Sequence, residues 1–121
     1  MSAGARSRTV RLTAAAESDF EEILRWTVSR FGERQARIYA ATISAALNDL
    51  AADPKIVGAK QRDDILKGLF TLHVARKRRK GRHFIMFRLQ HAPDCDVIEV
   101  LRLLHDAMDL PRHLPPAEES T

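Results

Sequence analysis

The sequence contains one cysteine, Cys95, in 121 residues, which excludes an internal disulfide and is typical of a reducing compartment. It also lacks any apolar run approaching the ~20 residues that cross a bilayer. Residues 1–8 include basic side chains but have no apolar core behind them, unlike a secretory signal. We therefore expect a cytoplasmic protein that does not act in a membrane.

The signatures of several enzyme classes are missing as well. No phosphate-binding loop, nucleophile elbow or dinucleotide fingerprint occurs in the sequence. The segment His91–Asp96 contains metal-ligand residue types, but no second cysteine or paired histidine completes a site. The solitary His73 and His83 are expected at strand ends or on the surface. The sequence therefore predicts neither a metal nor an organic cofactor.

Positive charge is concentrated in one part of the chain. The whole sequence has a formal net charge of +4, yet residues 67–88 contain eight lysines and arginines and no acid. The remaining residues are therefore net acidic. A basic patch on a slightly acidic body indicates an anionic partner, either nucleic acid or an acidic protein surface.

Two amphipathic helices are predicted in the first half of the chain. Thr9–Leu12 can form a short edge strand, after which the Thr13 hydroxyl can cap a helix. Gly32 can end that helix and Asp53 with Pro54 the next, so the two helices form an antiparallel hairpin. Apolar residues at helical spacing give each helix a stripe that is expected to pack in the core. The stripes are Ala16, Phe20, Ile23, Leu24, Thr27 and Phe31, with Trp26 at the margin, and Ala36, Tyr39, Ala40, Ile43, Ala46, Leu47 and Leu50.

Three further strands are predicted in the second half, at Leu69–Ala75, Phe84–Leu89 and Val97–Leu104. Residues 53–68 contain proline and glycine and are expected to form a loop, with a turn of helix near Asp63–Leu66. The last strand is apolar at nearly every position. It therefore belongs in the middle of the sheet, covered by helices on at least one face.

The predicted element order is β-α-α-β-β-β, an α+β fold in which a helical hairpin packs on a small, mainly antiparallel sheet. The length and the apolar fraction of 45% fit one domain with a modest core. We expect that domain to span residues 9–114, with flexible ends at residues 1–8 and 115–121.

The run Arg76–Arg82, between the first two of these strands, has six cationic residues in seven. It predicts contacts with phosphates or other anions, which add salt-dependent affinity. The alternative is a solvated turn whose charges protect a sheet edge. Because cations so close together repel one another, their density favours partner binding. The predicted contact residues are Arg76, Lys77, Arg78, Arg79, Lys80 and Arg82.

A second polar group follows the last strand. Histidine can transfer protons near neutral pH, and arginine can hold a phosphate. The alternative is a short C-terminal helix with these residues outward and Met108, Leu110 and Leu114 inward. Spacing alone does not require catalysis. The group consists of His105, Asp106, Asp109, Arg112 and His113.

Five segments, in order along the chain, resemble toxins of the ParE/RelE superfamily. They are Leu12–Ile23, Phe31–Ala36, Leu50–Pro54, Gly81–Leu89 and Val97–Leu114. The strand followed by Leu-His-Asp-Ala-Met-Asp-Leu-Pro-Arg-His-Leu is similar to the ParE branch in particular. The resemblance implies the toxin of a type II toxin–antitoxin module, with the same α+β fold that the periodicity predicts.

The resemblance also implies partners. ParE-like toxins poison DNA gyrase, RelE-like toxins cleave messenger RNA on the ribosome, and a small antitoxin neutralises both. It therefore implies a ParD-like antitoxin in a hetero-oligomer and gyrase as target, and it leaves direct nucleic-acid contact open. The basic run and the polar tail would bind the target. The helical hairpin would contact the antitoxin, through Trp26, Phe31, Tyr39, Ile43 and Leu47.

Two features depart from the superfamily pattern. The ParE pattern has a short turn where this chain carries Arg76–Lys80. The RelE pattern has an acid–base residue in the tail, often tyrosine, whereas the only tyrosine here is Tyr39, on the second helix. We therefore expect a gyrase inhibitor that is not an enzyme. The alternatives are a ribosome-dependent endoribonuclease using Arg79, Arg82 and His113, or a non-toxic relative that only binds antitoxin.

Overall fold

The structure is a computed structural model that describes residues 7–53 and 58–107. Its elements in chain order are β1 (Ser7–Leu12), α1 (Ala14–Phe31), α2 (Glu33–Ala52), β2 (Lys60–Gln61), β3 (Leu69–His73), β4 (His83–His91) and β5 (Cys95–His105). The five strands form one sheet in the order β1-β5-β4-β3-β2, and the two helices cover one of its faces. The predicted α+β class and the helical hairpin are confirmed. Within the described residues, no helix is both long and apolar enough to span a membrane.

The far end of β5 has a strand on one side only. β1 runs parallel to β5, and all other neighbouring strands are antiparallel. The pairing with β1 ends where Leu12 lies opposite Val100, whereas β5 continues to His105. A register shift between Met86 and Phe87 of β4 lies beside this point. Residues 101–105 of β5 therefore have β4 on one side and helix α1 on the other.

The predicted helix ends are present and connect the helices to the sheet. The hydroxyl of Thr13 accepts the N–H of Ala16 at 3.1 Å and donates to the carbonyl of Leu101 at 2.9 Å. The cap thus attaches the start of α1 to β5 as well as ending the helix. Gly32 joins α1 to α2 with a φ of 93°, a conformation that residues with a Cβ rarely adopt.

Apolar side chains are buried on both faces of the sheet. The larger cluster lies between the helices and the sheet, and Phe87 is its largest fully buried side chain. The smaller cluster is on the opposite face, where Phe84 and residues 65–66 pack against it. The smaller cluster consists of Leu69, Met86, Leu101 and Leu104. Because β4 and β5 are buried on both faces, their sequences are nearly continuous apolar runs.

The structure differs from the sequence-based expectation at three places. β2 was not predicted because Lys60 and Gln61 are polar and exposed and show no alternation. Residues 63–66 form turns and no α-helix, although the N–H of Leu66 donates to the carbonyl of Arg62 at 3.2 Å, as in a single helical turn. Phe31 was assigned to the core stripe but is 62% exposed at the end of α1, while Asp19 occupies the buried face instead.

Candidate functional site

The run Arg76–Arg82, here called the basic turn, is held against the C-terminal end of α2. There the carboxylate of Asp49 accepts hydrogen bonds from three cations. The donors are Arg76 Nε at 3.2 Å, Lys77 Nζ at 3.2 Å and Arg79 Nη2 at 2.7 Å. Burial alone would raise the pKa of Asp49, but the hydrogen bonds from these cations hold the pKa below its ordinary value. One carboxylate on α2 therefore fixes half of the cationic side chains in the turn.

These contacts hold the turn in a strained conformation. Lys77 and Arg78 have φ values of 52° and 67°, a left-handed region that costs residues with a Cβ about 1 kcal/mol each. The side chains of Arg76 and Arg79 are only 17% and 23% exposed. The basic turn is therefore not a freely solvated loop, and removing these two arginines is expected to cost stability.

Two cations of the basic turn remain available to a partner. Arg78 and Lys80 are exposed, and no ion pair joins either of them to another described residue. Arg82 has an exposed side chain as well, but it pairs with Asp106. The structure thus divides the predicted anion-binding run into an anchored part and a free part.

A second polar group, here called the histidine cluster, lies where β4 begins and β5 ends. It consists of Tyr39, His73, His83, His105 and Asp106. The hydroxyl oxygen of Tyr39 accepts the backbone N–H of Arg82 at 2.9 Å and lies 2.7 Å from His83 Nδ1. A hydroxyl also has one proton to donate, and among the described residues His83 Nδ1 is the acceptor within reach of it, so the proton is donated to Nδ1. Burial raises the pKa of Tyr39 above its ordinary value, so the hydroxyl stays protonated.

His83 is an electrically neutral member of the cluster. Burial, and then repulsion from His105, lower the pKa of His83 to about 4. The ring of His105 lies with its centroid 5.3 Å away, which is close enough for charge repulsion between two imidazolium ions. At neutral pH His83 is therefore an imidazole that accepts at Nδ1 and donates at Nε2.

Asp106 is the anion of the cluster. Its carboxylate accepts from His73 Nε2 at 3.0 Å and from Arg82 Nε at 3.1 Å. These two hydrogen bonds hold the pKa of Asp106 at about 2. The backbone of Asp106 also donates to the carbonyl of Arg82 at 2.8 Å. The carboxylate is therefore ionised at physiological pH. It fixes the end of β5 beside Arg82, the last residue of the basic turn.

Backbone groups set the tautomers of the other two histidines. The N–H of Ala75 donates to His73 Nδ1 at 3.0 Å, and the N–H of Ala107 donates to His105 Nδ1 at 3.1 Å. A neutral imidazole that accepts at Nδ1 carries its proton on Nε2. All three histidines of the cluster therefore present an Nε2–H donor, and the one on His73 is used by Asp106.

Acidification is expected to destabilise the protein through His83. Its folded-state pKa of about 4 lies below the ordinary value of 6.5, so the unfolded chain binds the extra proton between these values. Stability should therefore fall as the pH drops from about 6.5 to 4, by about 1–2 kcal/mol once the exposed part of the ring is allowed for. Urea unfolding of wild type and His83→Gln across this range measures the effect. The fall in the free energy of unfolding with decreasing pH should become smaller in His83→Gln. It should stay unchanged in His91→Gln, because the His91 side chain is exposed.

The structure brings together some of the sequence-predicted target residues. His105 and Asp106 lie beside Arg82, as a single surface would require. The remaining tail residues of that prediction lie outside the described residues. They are Asp109, Arg112 and His113. Within residues 7–53 and 58–107, no group of three metal-ligand side chains is placed to hold an ion.

The predicted antitoxin-contact residues fall into two classes. Trp26 and Phe31 are exposed on α1, and their rings meet edge to face with centroids 5.8 Å apart. Leu47 and Tyr39 are partly buried against the core. The prediction is wrong for Ile43, because this side chain is 0% exposed between the helices and the sheet and has no surface to offer.

Sequence reasoning missed two acids that organise the site. Asp19 and Asp49 both occur within the helical apolar spacing, at positions next to Ala16 and Ala46 on the same helix faces. An acid inside an apolar stripe indicates a buried partner of opposite charge. That signal was present in the sequence, but it could not identify Arg102 or the basic turn as the partners.

The chain matches a known protein family and several curated members of it. The family described as "ParE toxin of type II toxin-antitoxin system, parDE" matches residues 10–110. The chain is 33% identical over 103 residues to Toxin ParE1 of Mycobacterium tuberculosis, covering 85% of this chain and 94% of that protein. It is 28% identical over 104 residues to Toxin ParE1 of Caulobacter vibrioides, covering 86% and 95%.

Solved structures with the same fold come from toxin–antitoxin systems. The chromosomal ParDE system from P. aeruginosa superposes with a TM-score of 0.66 at 18% identity, covering 84% of this chain and 98% of that chain. The toxin–antitoxin complex RelBE2 of Mycobacterium tuberculosis superposes with a TM-score of 0.51 at 27% identity, covering 80% and 95%. The helical hairpin on a mixed sheet is the architecture common to these chains.

Proposed function

The chain belongs to the ParE toxin family of type II toxin–antitoxin systems, and from that premise we propose that it inhibits DNA gyrase and is neutralised by a cognate ParD-like antitoxin. Both partners would be met in the cytoplasm. The observation that carries the target assignment is the basic turn. Asp49 holds its strained backbone in place while Arg78 and Lys80 stay exposed.

A fixed cationic turn suits a protein–DNA complex as target. Gyrase acts on DNA, so its working complex presents phosphates that arginine and lysine can contact. Holding the turn in one conformation before binding lowers the entropy lost on association. The backbone strain at Lys77 and Arg78 is consistent with such a role, because strain persists where a site needs a particular geometry.

The antitoxin part of the proposal is supported by apolar side chains on the hairpin. Trp26 and Phe31 are 56% and 62% exposed, and Val28 and Ile38 are 41% and 49% exposed. Large apolar side chains left in water are typical of protein–protein contact surfaces. The neighbouring structures are a ParDE system and a RelBE2 toxin–antitoxin complex, so an antitoxin is the partner that this family context favours.

A second candidate function, ribonuclease activity, is favoured by one observation. The tail tyrosine expected of a nuclease is missing, but Tyr39 reaches the cluster from α2 and donates to His83. RNA cleavage needs a base for the 2′-hydroxyl and an acid for the leaving oxygen, and a tyrosine beside neutral imidazoles can provide both. Two of the residues that the sequence predicts for this chemistry are held by acids. Arg79 donates to Asp49, and Arg82 donates to Asp106.

Induction in bacterial cells separates the two functions. Under the gyrase proposal, plasmid topology should change, chromosomal breaks should accumulate and messenger RNAs should stay intact. The Tyr39→Phe variant should remain toxic, because its hydroxyl serves the local structure. If messenger RNAs are instead cleaved on translating ribosomes, and Tyr39→Phe abolishes that cleavage, the function is that of a ribonuclease and not of a gyrase inhibitor.

The two parts of the basic turn are expected to respond differently to neutralisation. Arg78→Gln/Lys80→Gln should weaken gyrase–DNA binding and reduce the slope of log affinity against log salt by about 2 if each cation contacts a phosphate. Its free energy of unfolding should change by no more than about 0.5 kcal/mol. Purified variants are compared by binding at several salt concentrations and by thermal unfolding.

The matched control is Arg76→Gln/Arg79→Gln, which removes the same charge from the anchored part. This variant should lose stability, because Asp49 is left partly buried with one cation in place of three. Equal binding loss without unfolding in both variants would show that net charge alone matters. No binding loss in Arg78→Gln/Lys80→Gln would exclude the turn from the target surface.

A further inference from the structure

A cavity of about 410 Å³ opens between α1 and the end of β5. Its lining combines apolar residues, among them Ile23, Trp26 and Leu103, with the imidazoles of His83 and His105. It lies beside the edge of β5 that continues past the end of β1, on the side away from β4. A volume of this size accommodates one or two large side chains.

The two imidazoles in the lining each have a hydrogen-bond donor that no described residue uses. His83 Nδ1 is occupied by Tyr39, and His105 Nδ1 is occupied by the N–H of Ala107. Their Nε2–H groups have no hydrogen-bond partner among residues 7–53 and 58–107. The carboxylate of Asp106 lies 3.6 Å from His105 Nδ1, beyond hydrogen-bonding distance, and does not occupy the other nitrogen.

The charges around the cavity restrict what these donors can bind. Asp19 and Glu22 are in the lining, and Arg102 is bound by Asp19. With neutral imidazoles the lining carries a slight net negative charge, which disfavours the closely spaced phosphates of nucleic acid. A single carboxylate carries one charge and meets a smaller repulsion than a row of phosphates, and two N–H donors can satisfy it while its apolar neighbour packs on Trp26.

We propose that this cavity receives a short peptide segment in which a carboxylate side chain adjoins a large apolar one, with His83 and His105 donating to the carboxylate. The occupant is a segment of the antitoxin, an assignment that rests on the proposed function. The cavity is continuous through Trp26 with the exposed aromatic pair that Trp26 forms with Phe31. The segment would therefore lie along α1 and insert its acidic–apolar pair beside β5.

The peptide acetyl-Leu-Phe-Glu-Leu-amide is a direct probe of this chemistry. Trp26 is the only tryptophan in the chain, so its fluorescence reports occupancy of the cavity without labelling. The acidic peptide should shift the emission and move the Nε2 resonances of His83 and His105 in ¹⁵N-histidine spectra. The isosteric peptide with Gln in place of Glu should bind about tenfold more weakly, because it lacks the charge-assisted hydrogen bonds.

Two substitutions at His105 test the donor itself. His105→Asn keeps an acceptor for the N–H of Ala107 but has no group at the Nε2 position, and should lose about tenfold in affinity. His105→Gln places an amide N–H near Nε2 and should retain most of the affinity. His91→Asn is the matched control, because His91 lies at the opposite end of β4 and should change nothing.

The outcomes separate this inference from the proposed function. Equal binding of the Glu and Gln peptides, or loss of affinity in His91→Asn as much as in His105→Asn, would overturn the inference. So would a single-stranded oligonucleotide that competes with the peptide at Trp26. Gyrase inhibition measured on the same preparations tests the proposed function separately: its absence alongside selective Glu-peptide binding would leave the cavity chemistry supported and remove the gyrase assignment.

Discussion

Replacing Asp19 with alanine is expected to lower the free energy of unfolding by about 3 kcal/mol. Asp19 is 8% exposed, and its carboxylate accepts from Arg102 Nε at 2.7 Å, Arg102 Nη2 at 2.9 Å and the backbone N–H of Leu103 at 3.0 Å. Removing one partner of a buried ion pair leaves the other without compensation. Arg102 keeps 26% of its side chain exposed and can regain some hydration, which places the cost at the lower end of the usual range.

A loss of this size should lower the melting temperature by about 10 °C or more. Thermal and urea unfolding measure it, and Glu21→Ala is the control on the same helix. Among the described residues Glu21 makes only an exposed pair with Arg25 at 3.9 Å, so its removal should cost no more than about 0.5 kcal/mol. In a double-mutant cycle, Asp19→Ala and Arg102→Ala should be strongly non-additive. Additive losses would show that the pair contributes little.

The Asp19 pair also explains how β5 ends beside a helix. The N–H of Leu103 is on the edge of β5 that β1 no longer covers, and the carboxylate of Asp19 takes the place of a strand carbonyl there. An unpaired N–H at a buried edge would be costly. α1 thus closes the sheet edge with one side chain and leaves the adjacent cavity open next to His105.

Most of the fold could be predicted because its elements have strong local patterns. The helical stripes, the cap at Thr13 and the break at Gly32 follow from spacing and side-chain chemistry, and all are present except that Phe31 is exposed. The strands β3, β4 and β5 were found because they are rich in apolar residues. β2 could not be found, because two exposed polar residues carry no periodicity and only their pairing with β3 defines the strand.

The site was less predictable because it depends on contacts between distant residues. The sequence showed six cations in the basic turn, but Asp49, which lies 27 residues before Arg76, determines which of them are free. The sequence places Tyr39 on the second helix and no tyrosine in the tail. The fold instead brings its hydroxyl to His83, 44 positions later in the chain. Local periodicity contains no information about such pairs.

Replacing Gly81 with alanine is expected to disturb both the core and the histidine cluster. A Cβ at this position would overlap Val74 Cγ2 and lie 2.9 Å from the ring and hydroxyl of Tyr39. The backbone of Gly81 does not have a positive φ, so the requirement is for space rather than for conformational freedom. Overpacking of this kind costs about 1–3 kcal/mol, and here it should also push the Tyr39 hydroxyl away from His83 Nδ1.

The displacement gives the Gly81→Ala variant a signature that simple destabilisation lacks. Without the proton from Tyr39, the His83 Nδ1 resonance should shift in ¹⁵N-histidine spectra of the folded protein. Gly68→Ala is the control: Gly68 has a φ of 79° but no atom near its added Cβ, so it should cost about 1 kcal/mol of backbone strain and leave His83 unchanged. Shortening Tyr39 to leucine in the Gly81→Ala background should recover part of the lost stability. A Gly81→Ala protein with wild-type stability and an unchanged His83 spectrum would mean that the segment before β4 can move away from α2. The contact between Tyr39 and His83 would then not depend on the close approach of Gly81 to the Tyr39 ring.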